Sequence, residues 1–62
     1  MNNNYTELLT VEELCNLLKI SPTVAYRLVS SGEINCFRIG RVWRIPLECV
    51  NEYIKEHSCQ HV

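Results

Sequence analysis

The sequence predicts a small α+β domain: two helices joined by a tight turn, then a β-hairpin, then a closing helix. Three observations predict it. Helix-start signals stand at Thr10 and Ser21, each followed by apolar residues at helical spacing. From Asn35 to Ile45 the apolar period switches to two, around a Gly40-Arg41 tip. Pro46 then stops the hairpin, and a third helical pattern runs to about Ser58.

The first helix is expected from about Val11 to Lys19. Thr10 can cap it, and Glu13 three residues on completes a capping box, with Leu9 and Leu14 placed as a hydrophobic staple. Val11, Leu14, Cys15 and Leu18 share one face, which Leu17 widens. Lys19-Ile20 leaves room only for a turn. Ser21 is a good N-cap, and Pro22 suits the first helical position, where its missing N–H costs nothing. Val24 and Leu28, with Ala25 and Val29, form the inward stripe. Thr23, Tyr26, Arg27 and Ser30 repeat the spacing on the opposite side. Gly32 suits the left-handed position just past the helix end.

In the hairpin, side-chain parity favours a three-residue loop Gly40-Arg41-Val42. That register sets Ile39 opposite Trp43 and turns Phe37, Ile39, Trp43 and Ile45 toward one core, with Arg38 and Arg44 outward and Arg41 at the tip. In the third helix Leu47, Val50 and Ile54 share a face with Tyr53 beside them, while Glu48, Glu52 and Glu56 make an acidic outer stripe.

Length bounds the rest. A chain of 62 residues forms one domain at most. The expected division is a flexible segment 1–7, a folded domain 8–57 and a flexible tail 58–62. Hydrophobic content of 47% is enough for a core. No apolar run approaches the roughly 20 residues of a membrane span, and no secretory signal is visible. A cytoplasmic setting with reduced thiols is therefore expected for Cys15, Cys36, Cys49 and Cys59. No C-x-x-C pair gives zinc spacing, and Cys59, His61 and His57 read as a loose tail rather than a metal site. No cofactor is implied. No nucleophile, base and oxyanion site converge in the sequence, so an enzyme is not expected.

The net charge of −1 hides an uneven distribution. Residues 1–18 carry Glu7, Glu12 and Glu13. Residues 19–44 carry Lys19, Arg27, Arg38, Arg41 and Arg44 against Glu33 alone. Residues 45–62 carry Glu48, Glu52 and Glu56 against Lys55. The three parts sum to −3, +4 and −2, and a basic centre of this kind is the electrostatic footprint of a nucleic-acid surface. Two helices on a short turn, the second brief and polar-faced, form a helix-turn-helix, and the hairpin is then a basic wing. A protein-interaction module that never touches DNA is the competing reading, and the basic centre argues against it.

The stretches L-L-T-V-E-E-L-C-N-L-L-K-I-S-P-T-V-A-Y-R-L-V-S-S-G-E-I and F-R-I-G-R-V-W-R-I-P resemble the small excisionase-like winged helix-turn-helix family, relatives of the MerR-type DNA-binding domain. The resemblance covers roughly Leu8 to Ile54. It implies a bacterial, phage or transposon DNA-binding protein that contacts double-stranded DNA through Thr23, Tyr26 and Arg27 on the second helix and Arg41 on the wing. It also implies an excisionase that directs a tyrosine recombinase toward excision, with a small transcriptional regulator as the alternative. Val42 stands where the family often has a basic residue, which implies thinner backbone anchoring and a greater need for partners.

The candidate DNA-contacting residues are Ser21, Thr23, Tyr26, Arg27, Arg38, Arg41 and Arg44. Arg27 suits either a guanine edge or a phosphate. Tyr26 suits a phosphate, a thymine methyl or half-buried packing. Thr23, near a helix N-terminus, suits a phosphate or a base. Ser21 is first a cap. Arg41 suits the minor groove or the backbone, and Arg38 and Arg44 suit phosphates. Trp43 reads as core. The acidic stripe on the third helix is free to meet a neighbouring copy or the recombinase, which predicts cooperative self-association on DNA.

Overall fold

The computed structural model describes residues 7–58. The expected α+β winged helix-turn-helix is present, with one strand more than expected. Leu8–Leu9 forms β1, Val11–Leu18 α1, Pro22–Ser30 α2, Phe37–Ile39 β2, Val42–Pro46 β3 and Leu47–His57 α3. The three strands form an antiparallel sheet in the order β1-β3-β2. Within the segment expected to be flexible, 1–7, Glu7 is described, and its carbonyl accepts a 2.9 Å bond from Leu47 N–H. The rest of that segment and residues 59–62 of the tail, with Cys59 and His61, lie outside the described residues.

Local chemistry explains the helix starts. Thr10 Oγ1 accepts from Glu13 N–H at 3.1 Å, and Glu13 Oε1 accepts from Thr10 N–H at 2.9 Å. The capping box thus satisfies two backbone donors that a helix start leaves without partners. Ser21 Oγ accepts from Val24 N–H at 3.3 Å, and Pro22 opens α2. α1 ends one residue earlier than expected. Lys19 is in the left-handed region (φ 59°), and Ile20 N–H bonds back to Cys15 C=O at 3.1 Å. This six-residue closure turns the chain sharply enough for α2 to begin at Pro22. Gly32 takes φ +84° just beyond α2, as its position predicts.

The core is built from Leu9 of β1, Val11 and Leu14 of α1, Ala25, Leu28 and Val29 of α2, Ile34, Ile45 of β3 and Val50 of α3. Ile34 lies in the connection after α2, fully buried, with its N–H bonded to Leu28 C=O. Strand β2 contributes nothing to the buried set. The hairpin therefore projects beyond the core as a true wing, anchored through β3 alone. Two apolar side chains expected inside are exposed: Leu17, by 47%, does not widen the α1 stripe, and Ile54 is exposed by 39%, whereas Val24 and Tyr53, both partly buried, pack against the core.

The hairpin register also differs from the parity expectation. The observed partners are Phe37 with Arg44, Arg38 with Trp43 and Ile39 with Val42, so the loop has two residues, Gly40-Arg41. Gly40 carries φ +64° while Arg41 stays in ordinary φ space. This is the pattern of a type II′ turn, whose twist matches that of the flanking strands. A one-residue change of register moves every side chain to the other face. Phe37, Ile39 and Val42 are accordingly exposed by 44%, 58% and 46%, and Phe37 does not join Trp43 and Ile45. Arg38 and Arg44 lie on opposite faces of the wing rather than together outside.

Candidate DNA-binding surface

Burial of Ala25, Leu28 and Val29 against α1 and the sheet leaves the opposite side of α2 to solvent. Thr23, Tyr26, Arg27 and Ser30 are all exposed there. Four residues at helical spacing make a polar face two turns long, about the length that a major groove admits. Ser21 lies at the start of that face with its side chain already engaged as the α2 cap. Arg27 lends its carbonyl to Ser31 N–H at 3.0 Å, while its guanidinium has no hydrogen-bonding or ionic partner among the described residues.

The wing and this helix share one groove. Tyr26 of α2 and Arg41, Val42 and Trp43 of the hairpin line one open groove, closed at its other end by Thr10, Val11 and Glu12 at the start of α1. Of the seven candidate residues, the groove brings together Tyr26 and Arg41. Thr23 and Arg27 flank it on the α2 surface, and Arg44 is on the far face of the wing, half-buried opposite Phe37. A second, more apolar groove between α1 and α2 is lined by Val11, Cys15, Ile20, Pro22 and Tyr26, with Glu12 and Asn16 at its edge. Tyr26, which lines both grooves together with Val11 and Glu12, is more than half exposed.

Five residues lining the wing groove, Thr10, Val11, Glu12, Val42 and Trp43, were not among the sequence candidates, and of these Trp43 and Glu12 add chemistry to it. Trp43 is half-buried against the core and also lines the wing groove, and the Arg38 guanidinium carbon stands 5.0 Å from the centre of its ring. Glu12 lines both grooves without taking part in the capping box. The sequence signal for the first was Gly40 itself, because glycine at the first of two loop residues specifies the register that sets Arg38 opposite Trp43. For the second there was none beyond its place beside the cap.

The remaining chemistry is quiet. Cys15, Cys36 and Cys49 are free thiols, each half-buried. Cys36 Sγ donates to Val29 C=O at 3.5 Å. Burial first, then the neighbouring Cys49, pushes the Cys36 thiol above its ordinary value; burial first, then Glu52 and Glu48, does the same for Cys49. Among the described residues, no group of three or more His, Cys, Asp and Glu side chains comes together to hold a metal ion. No described helix is long and apolar enough to cross a membrane.

Residues 8–58 match the family described as helix-turn-helix domain. Over 46 residues the chain is 50% identical to a Saccharopolyspora erythraea protein named "Probable excisionase", covering 74% of this chain and 47% of that protein. Over 50 residues it is 38% identical to a Mycobacterium tuberculosis protein named "Putative DNA-binding protein", covering 81% of this chain and 64% of that one. A Bacillus subtilis protein, "Uncharacterized protein YvgK", is 36% identical over 50 residues, which make up 16% of its length. The chain thus spans less than two thirds of each of these curated relatives. No solved structure matches it.

Proposed function

Because the chain belongs to the helix-turn-helix domain family and resembles its small excisionase-like members, we propose that it is a sequence-specific double-stranded DNA-binding protein. The polar face of α2 enters the major groove, and the β2–β3 wing follows the flanking backbone or minor groove. The observation that carries this reading is the groove lined by both Tyr26 of α2 and Arg41 of the wing tip. A helix face and a cationic tip that converge can straddle one strand, with the helix on base edges and the tip on phosphates. Thr23, Arg27 and Ser21 extend the contact along α2, and Arg38 and Arg44 supply charge from the two faces of the wing.

Salt dependence tests it. If the five basic residues of 19–44 meet about four phosphates, log K falls against log salt with a slope of about −3.6. A slope near zero in an anisotropy titration would falsify DNA binding by this surface.

The finer role is excision: an architectural protein that binds beside an attachment site and directs a tyrosine recombinase. The identity to the protein named "Probable excisionase" supports it. One small module contacts few base pairs, so neighbouring copies bind cooperatively, head to tail. The exposed Glu48, Glu52 and Glu56 of α3, which phosphate repels, are free to meet a neighbour or the recombinase. Footprinting with and without the recombinase tests this role. Independent filling of single sites, with no effect on excision, counts against it.

A further inference from the structure

The contact between Arg38 and Trp43 extends the DNA-binding reading and rests on it. We propose that Trp43 is a positioning residue for DNA binding: its indole face holds the Arg38 guanidinium ready for a backbone phosphate beside the groove shared by Tyr26 and Arg41. The two side chains are direct cross-strand partners on one face of the wing. The guanidinium carbon lies 5.0 Å from the ring centre, within the range of a cation–π contact. Trp43 is fixed on one side by the core and faces the groove on the other. Arg38 is exposed, and among the described residues no acid or carbonyl takes up its donors.

A cation–π contact uses none of the hydrogen-bond donors of a guanidinium and leaves its N–H groups free. Those are the groups that bind phosphate in a bidentate fork. An arginine already held over a ring loses less conformational freedom when it takes an anion than one that samples all its rotamers. A lysine at the same place keeps the charge but cannot present a fork from the ring face. The wing then carries two cations of different kinds: Arg41, free at the turn, and Arg38, held in place behind it.

Fluorescence anisotropy with a mixed-sequence duplex, over a range of salt, tests this with four proteins besides the natural chain: Arg38→Ala, Arg38→Lys, Trp43→Phe, and Arg38→Ala combined with Trp43→Phe. Arg38→Ala should weaken binding and reduce the salt slope by about 0.9, one phosphate. Arg38→Lys should keep the slope and still lose affinity by about two- to ten-fold, the worth of one hydrogen bond of the lost fork. Trp43→Phe keeps an apolar ring for the core and should lose somewhat less, again at constant slope. The double variant should bind no worse than Arg38→Ala alone, because the ring acts only through the arginine. Wild-type affinity in Arg38→Lys, or additive losses in the double variant, overturns the positioning role while DNA binding stands. A natural chain whose affinity ignores salt overturns both. Thermal melts of all five proteins separate these effects from unfolding, and Arg38→Lys, on an exposed site, keeps the test open if Trp43→Phe proves unstable.

Discussion

Leu9 lies directly opposite Ile45 in the β1–β3 ladder, and both side chains are buried in the core. This pairing ties the residues before the first helix to the strand that carries the wing. Glu7 C=O, which accepts from Leu47 N–H, continues the tie to the start of α3. Leu9→Ala should therefore cost about 2–5 kcal/mol, a large share of the stability of so small a domain. Leu8→Ala, one residue earlier with its side chain exposed, should stay within about 0.5 kcal/mol. Urea denaturation followed by circular dichroism compares them, and equal effects would mean that β1 does not pair as described.

The hairpin register makes a second prediction. Gly40 has φ +64°, and a Cβ added there meets nothing within 4 Å. Gly40→Ala should then cost only the backbone term, about 1–2 kcal/mol. Gly40→Asn should cost less, since asparagine visits this region more readily. Phe37→Ser and Ile39→Thr, on the solvent face of the wing, should barely alter the midpoint. A three-residue loop would reverse that: both changes would then empty the core.

That reversal marks what was legible in the sequence. Caps are local. Thr10 with Glu13, and Ser21 with Val24, fix helix starts through bonds between residues three apart, and both caps stand as expected. The polar face of α2 is equally local, because its spacing alone separates Thr23, Tyr26 and Arg27 from Ala25 and Leu28. The hairpin is not. Parity assumes that both strands bury their large residues, but the core ends at β3, and β2 hangs beyond it with Phe37 and Ile39 in solvent. Strand β1 is two residues long, too short to show alternation, and Ile34 lies in a stretch with no period at all. The Arg38–Trp43 contact depends on the register and was lost with it.

The two perturbed thiols give a pH dependence. In the folded chain, burial raises both Cys36 and Cys49 above the ordinary thiol value, whereas the unfolded chain has no such burial. The fold thus favours the neutral thiol. That stability is fully present below the ordinary thiol pKa, and it declines as pH rises through that value toward the folded one. Midpoints of chemical denaturation should fall on the alkaline side, and the fall should be smaller in the Cys36→Ser, Cys49→Ser double variant. At neutral pH both thiols should react with iodoacetamide more slowly than a thiol in the unfolded chain. Equal alkylation rates in native buffer and in urea would contradict the burial of these groups.

Arg27 and Arg41 should fail in different ways when removed. Arg27 projects from the exposed face of α2, with no partner for its guanidinium among the described residues. If it reads a guanine edge, Arg27→Ala costs about 1–3 kcal/mol on the preferred sequence and relaxes preference at one base pair. Arg41 stands at the wing tip beside Tyr26, where phosphates or a narrow minor groove are its natural targets. Arg41→Ala should weaken binding about evenly across sequences and lower the salt slope by about one unit. Both side chains are exposed and outside the core, so both variants should melt close to the natural chain. Binding to a randomised duplex library, sequenced before and after selection, separates the two. An even loss for both would make Arg27 a phosphate ligand and leave base reading to Thr23 and Tyr26. Unchanged affinity in both would mean that DNA meets a different face of the domain.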